Sequence, residues 1–240
     1  MRYKLVSTYL SHFIQEINDL NGICFNPEHH GRMSRDERRE QILQTAFDMF
    51  SRHGFAGTTT RDIAQAAGVS EATLFKHFAT KEELYGAIID AKRCEKGLSE
   101  YPWLDNKRLM EARESGDDRE FFYQFALQAM ENHQKNVAFM RMIFYSALEE
   151  HELAERFFGD FVSEIYAFLS DYIRRRQRDG AFRKFNPKIA VRAFLGMLIH
   201  HSLNNILWDK NRRILNISNE KAARSFTDIL LHGLYVKNGD

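Results

Sequence analysis

Cysteine is nearly missing from this 240-residue chain, which has only Cys24 and Cys94. Two thiols make neither a disulfide framework nor a ligand cluster, which fits a reducing compartment. An excess of one charge is missing too. The formal net charge is +1 at pH 7, so bulk charge singles out no polyanionic partner. No apolar run is long enough to span a bilayer, and the N-terminus lacks the apolar core of a signal peptide. A cytoplasmic protein without a membrane partner is therefore expected. No alternation of the strand-turn-strand kind appears, nor any internal repeat or low-complexity tract. Ser/His/Asp and Cys/His constellations, a phosphate-binding glycine loop and metal motifs are absent as well. His29-His30 has no further ligands at suitable spacing, and His200-His201 point to different sides of a helix. The expectation is a protein that is not an enzyme and needs no metal or cofactor. With 44% apolar and 28% charged residues, a sizeable core is feasible.

What is present is most specific between Thr58 and Phe78. Thr60 can cap a short helix whose Ile63, Ala64 and Ala67 form a buried stripe, and Gly68 suits the left-handed position that ends it. Val69 plugs the angle, Ser70 caps a second helix, and Leu74 with Phe78 returns to the core at helical spacing. Glu71, Ala72, Thr73, Lys76 and His77 then project from a helix placed to enter a DNA major groove. This is a helix-turn-helix layout. Residues 33–95 hold nine Lys/Arg against ten Asp/Glu, so affinity for DNA rests on where a few cations stand.

From Arg39 to Ala91 the chain resembles the tetracycline-repressor (TetR) family of bacterial one-component regulators. The resemblance is carried by Ile42-Leu43, Ala46-Phe47, Phe50, Gly54-Phe55, Thr58-Thr59-Thr60, Ile63-Ala64, Ala67-Gly68-Val69-Ser70, Thr73-Leu74-Phe75, His77-Phe78 and Lys81-Glu82 with Leu84. It implies that Thr60, Thr73, His77 and Lys81 hold DNA phosphates, and that Arg61, Glu71, Ala72 and Lys76 read bases or nearly touch them. Arg61 can make a bidentate contact to guanine, and Glu71 can accept from cytosine or simply oppose the helix dipole. Ser70 belongs to the same surface. Phe75 stands where the family usually has Tyr, so a hydroxyl contact to phosphate is lost and packing or backbone contact remains.

The fold class expected is all-α: an N-terminal three-helix helix-turn-helix domain over 34–80, then a larger helical-bundle regulatory and dimerisation domain over 81–240. Residues 1–33 form an extension with an apolar helical repeat from Val6 to Leu20. It either packs as an extra amphipathic helix or precedes a true start at Met33, directly before the Ser34-Arg35-Asp36-Glu37 capping box. After the helix that begins at Lys81, a weakly patterned connector over 97–118 is expected. Helices follow near 118–134, 137–150 and 152–178, then from Pro187 to about Trp208 and from Ser218 to about Val236. The Arg174-Arg175-Arg176 run reads as a solvated helix end.

The resemblance further implies an effector pocket among the middle helices and a four-helix interface formed by the last two helices and their copies. Phe125, Phe144 and Phe161 are candidate effector contacts in a Phe- and Met-rich interior that otherwise reads as ordinary core. Ala190, Ala193, Phe194, Met197 and His201 share one face, as do Phe226, Leu230, Gly233 and Leu234. The expected function is a homodimeric, ligand-responsive transcriptional regulator, a repressor released from double-stranded operator DNA by a small apolar or aromatic effector. The alternative is an architectural or protein-interaction DNA-binding module without an effector.

Overall fold

A computed structural model of the chain describes residues 33–94 and 102–236. The extension 1–32, with its apolar repeat and His29-His30, lies outside them, as does Gly97. The described residues are helical apart from turns and one isolated bridge between Phe182 and Tyr235. Among them no helix is long and apolar enough to cross a membrane. They divide into two compact units: residues 33–94 with Arg141–Ala154, and Pro102–Met140 with residues 155–236.

The first unit starts where Ser34 opens α1 (Arg35–His53). Its hydroxyl accepts the Glu37 amide at 3.2 Å while the Glu37 carboxylate takes the Ser34 amide at 2.7 Å, a reciprocal capping box. Ile42, Ala46 and Phe50 recur every four residues and are fully buried. Also buried are Ile63 and Ala64 of α2 (Thr60–Ala66), Leu74 of α3 (Glu71–His77) and Leu84, Tyr85 and Ile88 of α4 (Lys81–Cys94), with α1 packing on α2 and α4, and α2 on α3. Arg141–Ala154 joins this unit through aromatic contacts. The His151 ring lies 4.6 Å from Phe55 and 4.8 Å from Tyr85, and Tyr85 is edge-on to Phe50 at 4.7 Å.

The second unit contains α5 (Lys107–Ser115), α6 (Asp118–Lys135), the start of α7 (Val137–Leu148), the end of α8 (Glu152–Arg156), α9 (Ser163–Arg178), α10 (Pro187–Leu203) and α11 (Asn219–Leu234). Helix α6 is central and packs against α5, α10 and α11. Its Phe121 stacks on Tyr172 of α9 at 3.8 Å, and its Phe122 meets Phe194 of α10 edge-on at 5.3 Å. At its first turn Asp118, 5% exposed, receives Arg176 through Nε at 2.7 Å and Nη2 at 3.0 Å, and the Tyr172 hydroxyl at 2.7 Å. A buried carboxylate needs such pairing, since leaving it single would be strongly destabilising.

Three sequence expectations change here. The connector over 97–118 contains a helix, α5, capped by the Asn106 side chain on the Leu109 amide at 3.1 Å and ended by Gly116 at φ +75°. Its buried stripe is only Leu109 and Ala112, too short to stand out among charges. The single helix over 152–178 is interrupted by a π-helical turn at Phe157–Val162. The arginine run is not a simply solvated end: Arg176 pairs with Asp118, and Arg175 lies over the Tyr172 ring at 5.2 Å and donates to the Arg113 carbonyl. The adjacent histidines point to different sides: His201 faces the core and bonds Asn205 at 3.0 Å, while His200 is exposed.

His133 of α6 is largely buried against Ser202 of α10, with Nδ1 2.9 Å from the hydroxyl. Burial pushes its pKa down to about 4. The unfolded chain, with a histidine near its ordinary 6.5, therefore binds a proton that the folded chain refuses as pH falls between these values. Folding stability is full above about pH 6.5 and declines toward pH 4, with His133 accounting for up to about 3 kcal/mol. Burial lowers His77 and His201 too, in the same direction. Urea unfolding from pH 7 to 4.5 should show this loss, and His133→Gln should flatten most of it.

Candidate nucleic-acid interface

The two helices of the turn are each seven residues long, far too short to persist alone, so caps and core contacts set their geometry. Thr59, not Thr60, caps α2. The Thr59 hydroxyl accepts the Asp62 amide at 3.1 Å and donates to the Asp62 carboxylate at 2.6 Å. Thr60 is the first helical residue, and its hydroxyl donates to Glu71 Oε1 at 2.9 Å, linking α2 to α3. The sequence pattern Thr58-Thr59-Thr60 offers three candidate caps, and the tertiary position of Glu71 settles which hydroxyl goes where.

Gly68 ends the first helix at φ +65°, a backbone state that a side chain would strain. The amides of Gly68 and Val69 then reach back to the carbonyls of Gln65 at 3.1 Å and Ala64 at 2.9 Å. Ser70 caps α3, accepting the Thr73 amide at 3.1 Å with the Thr73 hydroxyl 2.9 Å away. Leu74 and Phe78 are fully buried, which turns Glu71, Ala72, Phe75 and Lys76 outward with Arg61. Thr73, His77 and Lys81 are half-buried at the border of that face. Phe75 is 44% exposed. It is therefore part of the outward surface.

The border is electrostatically specific. Lys81 starts α4 with its ammonium 4.0 Å above the Phe55 ring, a contact that holds the cation without neutralising it. Thr80 accepts the Glu83 amide at 3.0 Å, and the Glu83 carboxylate takes the Ala79 amide at 2.7 Å, a capping box whose return bond falls one residue early, which the pattern Thr80-Lys81-Glu82-Glu83 offers. His77 Nδ1 is buried without a hydrogen-bond partner. Burial lowers its pKa first, followed by repulsion from Arg35, Arg39 and Arg38, with Asp36 opposing. These three arginines of α1 are near the surface residues and were not in the sequence-based set. Their spacing at the start of a capped helix was the available signal.

A second omission lies in the turn after α1. Gly54 adopts φ +72°, and the Glu149 carboxylate lies where a side chain would stand. That carboxylate accepts the Phe55 amide at 3.0 Å and the Ala56 amide at 3.4 Å, and the Tyr145 hydroxyl donates to the Arg52 carbonyl at 3.2 Å. The partners are 93 and 94 residues apart in sequence, so no local pattern announces them.

The effector candidates separate. Phe125 and Phe161 both pack on Trp103, at 6.1 and 5.7 Å, within the larger unit. Phe144 falls in Arg141–Ala154, the stretch that groups with the helix-turn-helix. Trp103, at the centre of the Phe125, Phe161 and Phe168 rings, was missed because it follows Pro102 in a poorly patterned connector.

With this geometry in place, similarity to known proteins is informative. Residues 42–88 match the family model of bacterial regulatory proteins of the tetR family, and residues 123–233 match the AefR-like transcriptional repressor C-terminal domain. The chain belongs to the TetR family. Its head is 45% identical over 56 residues to the HTH-type transcriptional repressor Rv3405c of Mycobacterium tuberculosis, covering 23% of this chain and 30% of that one. It is 43% identical over 58 residues to the transcriptional activator FasR of Mycolicibacterium smegmatis, covering 24% and 26%. The match thus spans less than a third of these relatives' own length. Across the fold, NalD of Pseudomonas aeruginosa, the secondary repressor of the MexAB-OprM multidrug efflux pump, superposes with a TM-score of 0.58 at 20% identity, covering 83% of this chain and 96% of NalD.

The TetR head is expected to depend on Glu149. Glu149→Ala should leave the Phe55 and Ala56 amides without their acceptor and lower the local stability of the turn by about 1–2 kcal/mol. Native-state amide exchange checks this: both amides should exchange faster by about tenfold, while the amides of α11 stay unchanged.

Proposed function

We propose that the chain is a homodimeric transcriptional regulator of the repressor type, which leaves its operator when a small apolar or aromatic effector binds the larger unit. The observation that carries the DNA-binding part is the capped α3, which buries Leu74 and Phe78 and displays Ala72, Phe75 and Lys76 beside Arg61. Arg61 has the fork geometry to take O6 and N7 of a guanine, and Lys76 reaches a guanine or a phosphate. Phe75 offers an apolar edge to a thymine methyl. Ser70, Thr73, His77 and Lys81 line the border where phosphates pass, with Arg35 and Arg39 adding to the positive potential.

Glu71 limits this surface. A hydroxyl has one proton, and that of Thr60 goes to Glu71, so Thr60 can donate to a phosphate only by leaving the carboxylate. Glu71 also adds a negative charge beside the DNA, which favours a site where it accepts from a cytosine amino group and disfavours others.

For the effector, the support is the aromatic set of Trp103, Phe125 and Phe161, with Phe161 on the π-helical turn Phe157–Val162. Such insertions recur at functional sites because they re-aim side chains at some cost in helix geometry. Of helix α7, residues 137–140 group with the larger unit and Arg141–Leu148 with the head. A ligand that prefers another position of α7 would bias the head through Tyr145 and Glu149, and the coupling would be reciprocal.

For the dimer, the support is an outward stripe on α10 and α11. Ile189 is 68% and Ile229 60% exposed, and a side chain added at Gly196 or Gly233 would meet nothing within 4 Å. Open glycines on apolar stripes let a second pair of helices approach closely. This is only the edge of the faces the sequence pattern favours: Ala193 and Gly233 are exposed, but Ala190, Phe194, Leu230 and Leu234 are buried within the subunit.

Titrations on operator and random duplexes at several salt concentrations test the assignment. Arg61→Ala should weaken operator binding by about 1–3 kcal/mol and relax preference at one base pair per half-site. Lys81→Ala should weaken all duplexes alike and reduce the salt slope by about 0.9 per contact. Glu71→Gln should strengthen binding to random duplex by about 1 kcal/mol at low salt and narrow the gap to operator. Equal, salt-independent effects of Arg61→Ala and Lys81→Ala would overturn the surface.

A further inference from the structure

Between α10 and α11 the chain keeps a set of large apolar side chains in water. Trp208 is 65%, Ile214 85% and Leu215 49% exposed. The segment that carries them is fixed. Asp209 is buried, and its carboxylate accepts the backbone amides of Arg213 at 2.7 Å, Ile214 at 2.9 Å and Leu215 at 3.4 Å. Its own amide bonds the Asn204 carbonyl at 2.6 Å, and Arg212, at φ +51°, reaches the Ile217 carbonyl at 3.4 Å. Burial raises the Asp209 carboxyl, but the three amides outweigh it and hold the group below its usual range, so the anchor stays ionised at neutral pH.

A disordered loop could bury its apolar residues intermittently, whereas this one is held open by its own hydrogen bonds. Exposure of rigid apolar surface is unfavourable in proportion to its area and is relieved when a partner covers it. Because the loop is already ordered, covering it carries little of the usual entropic penalty.

We propose that this connector forms the outer part of the dimer interface and lies against the second copy of the chain. The proposal rests on the dimer reading given above and extends it to residues off the two helices. Two observations select a second copy over other occupants. The connector is continuous with the outward stripe: Trp208 ends the π-helical turn that prolongs α10, and its ring is 6.2 Å from that of His200, an exposed residue of α10. The helical stripe is also sparse in large side chains. A stable interface takes about 800 Å² and roughly 20–30 residues from each partner. Ile189, Ile199 and Ile229 are the large apolar side chains that α10 and α11 expose, and Trp208, Ile214 and Leu215 add three more from the segment that joins the two helices.

The test uses the two tryptophans. Trp103 is buried in the aromatic core, so Trp103→Phe leaves Trp208 as the sole reporter; if that variant folds poorly, the difference between the native chain and Trp208→Phe reports the same residue. On dilution through the dimer dissociation range, Trp208 emission should shift to the red and acrylamide quenching should rise several-fold. Ile214→Asp should raise the dimer Kd by about tenfold or more in sedimentation equilibrium without changing far-UV circular dichroism. Full quenching of Trp208 at concentrations where the chain is dimeric overturns the proposal, as does an unchanged Kd for Ile214→Asp. Ile229→Lys separates the two readings. If it dissociates the dimer while Trp208 stays freely quenched, the dimer reading holds and the connector proposal fails; if it does not, the α10 and α11 reading fails, whatever Trp208 reports.

Discussion

Tyr85 is the residue around which the DNA-binding head is assembled. It stands edge-on to Phe50 and Phe55 and touches the His151 ring, joining α1, the turn after it, α4 and the segment after α7. Each such ring buries on the order of 150–250 Å², worth several kcal/mol at about 25 cal/mol per Å². The hydroxyl of Tyr85 is within 3.5 Å of the Met142 carbonyl, and burial pushes its pKa up to about 12, so it stays neutral. Helices α2 and α3 are too short to supply stability of their own. They keep their angle because Ile63, Leu74 and Phe78 are buried in the core built behind this cluster.

Around these apolar cores, carboxylates do the fastening. Glu149 takes two amides of the turn after α1, Asp118 takes Arg176 and Tyr172, and Asp209 takes three amides of the α10–α11 connector. In each case an acidic group far from its partners in sequence, or a loop with no regular structure, is held by matching donors to acceptor oxygens. Residues 33–95 carry nine Lys/Arg against ten Asp/Glu, so the nucleic-acid face proposed for the head depends on where its few cations stand rather than on net charge.

Much of the head was legible because its signals are local. The Ser34 and Thr80 caps, the Ile42-Ala46-Phe50 stripe, the Gly68 turn and the Ser70 cap all act within four residues, the range over which helical geometry links sequence to structure. What was not legible is non-local or weakly patterned. Helix α5 carries two buried residues, and the π-helical turns at Phe157–Val162 and Asn204–Trp208 leave the helical period almost intact. The choice of Thr59 over Thr60 as cap depends on Glu71, eleven residues further along than Thr60.

The amino-acid sequence by itself determined the all-α class, the family and the outward position of Glu71, Ala72 and Lys76, since a burial stripe on a short capped helix leaves one free face, whereas packing decided that Thr73 and His77 are half-buried and that Phe75 is exposed. The tertiary structure decided that Arg141–Ala154 belongs with the head, because Glu149 and His151 find their partners only when distant segments meet. It also decided which sides of α10 and α11 are covered. Both helices carry apolar or small residues on more than one face, so periodicity permits either side to turn inward, and packing on α6 fixes the choice by burying Phe194 and Leu230 and leaving Ile189 and Ile229 in water.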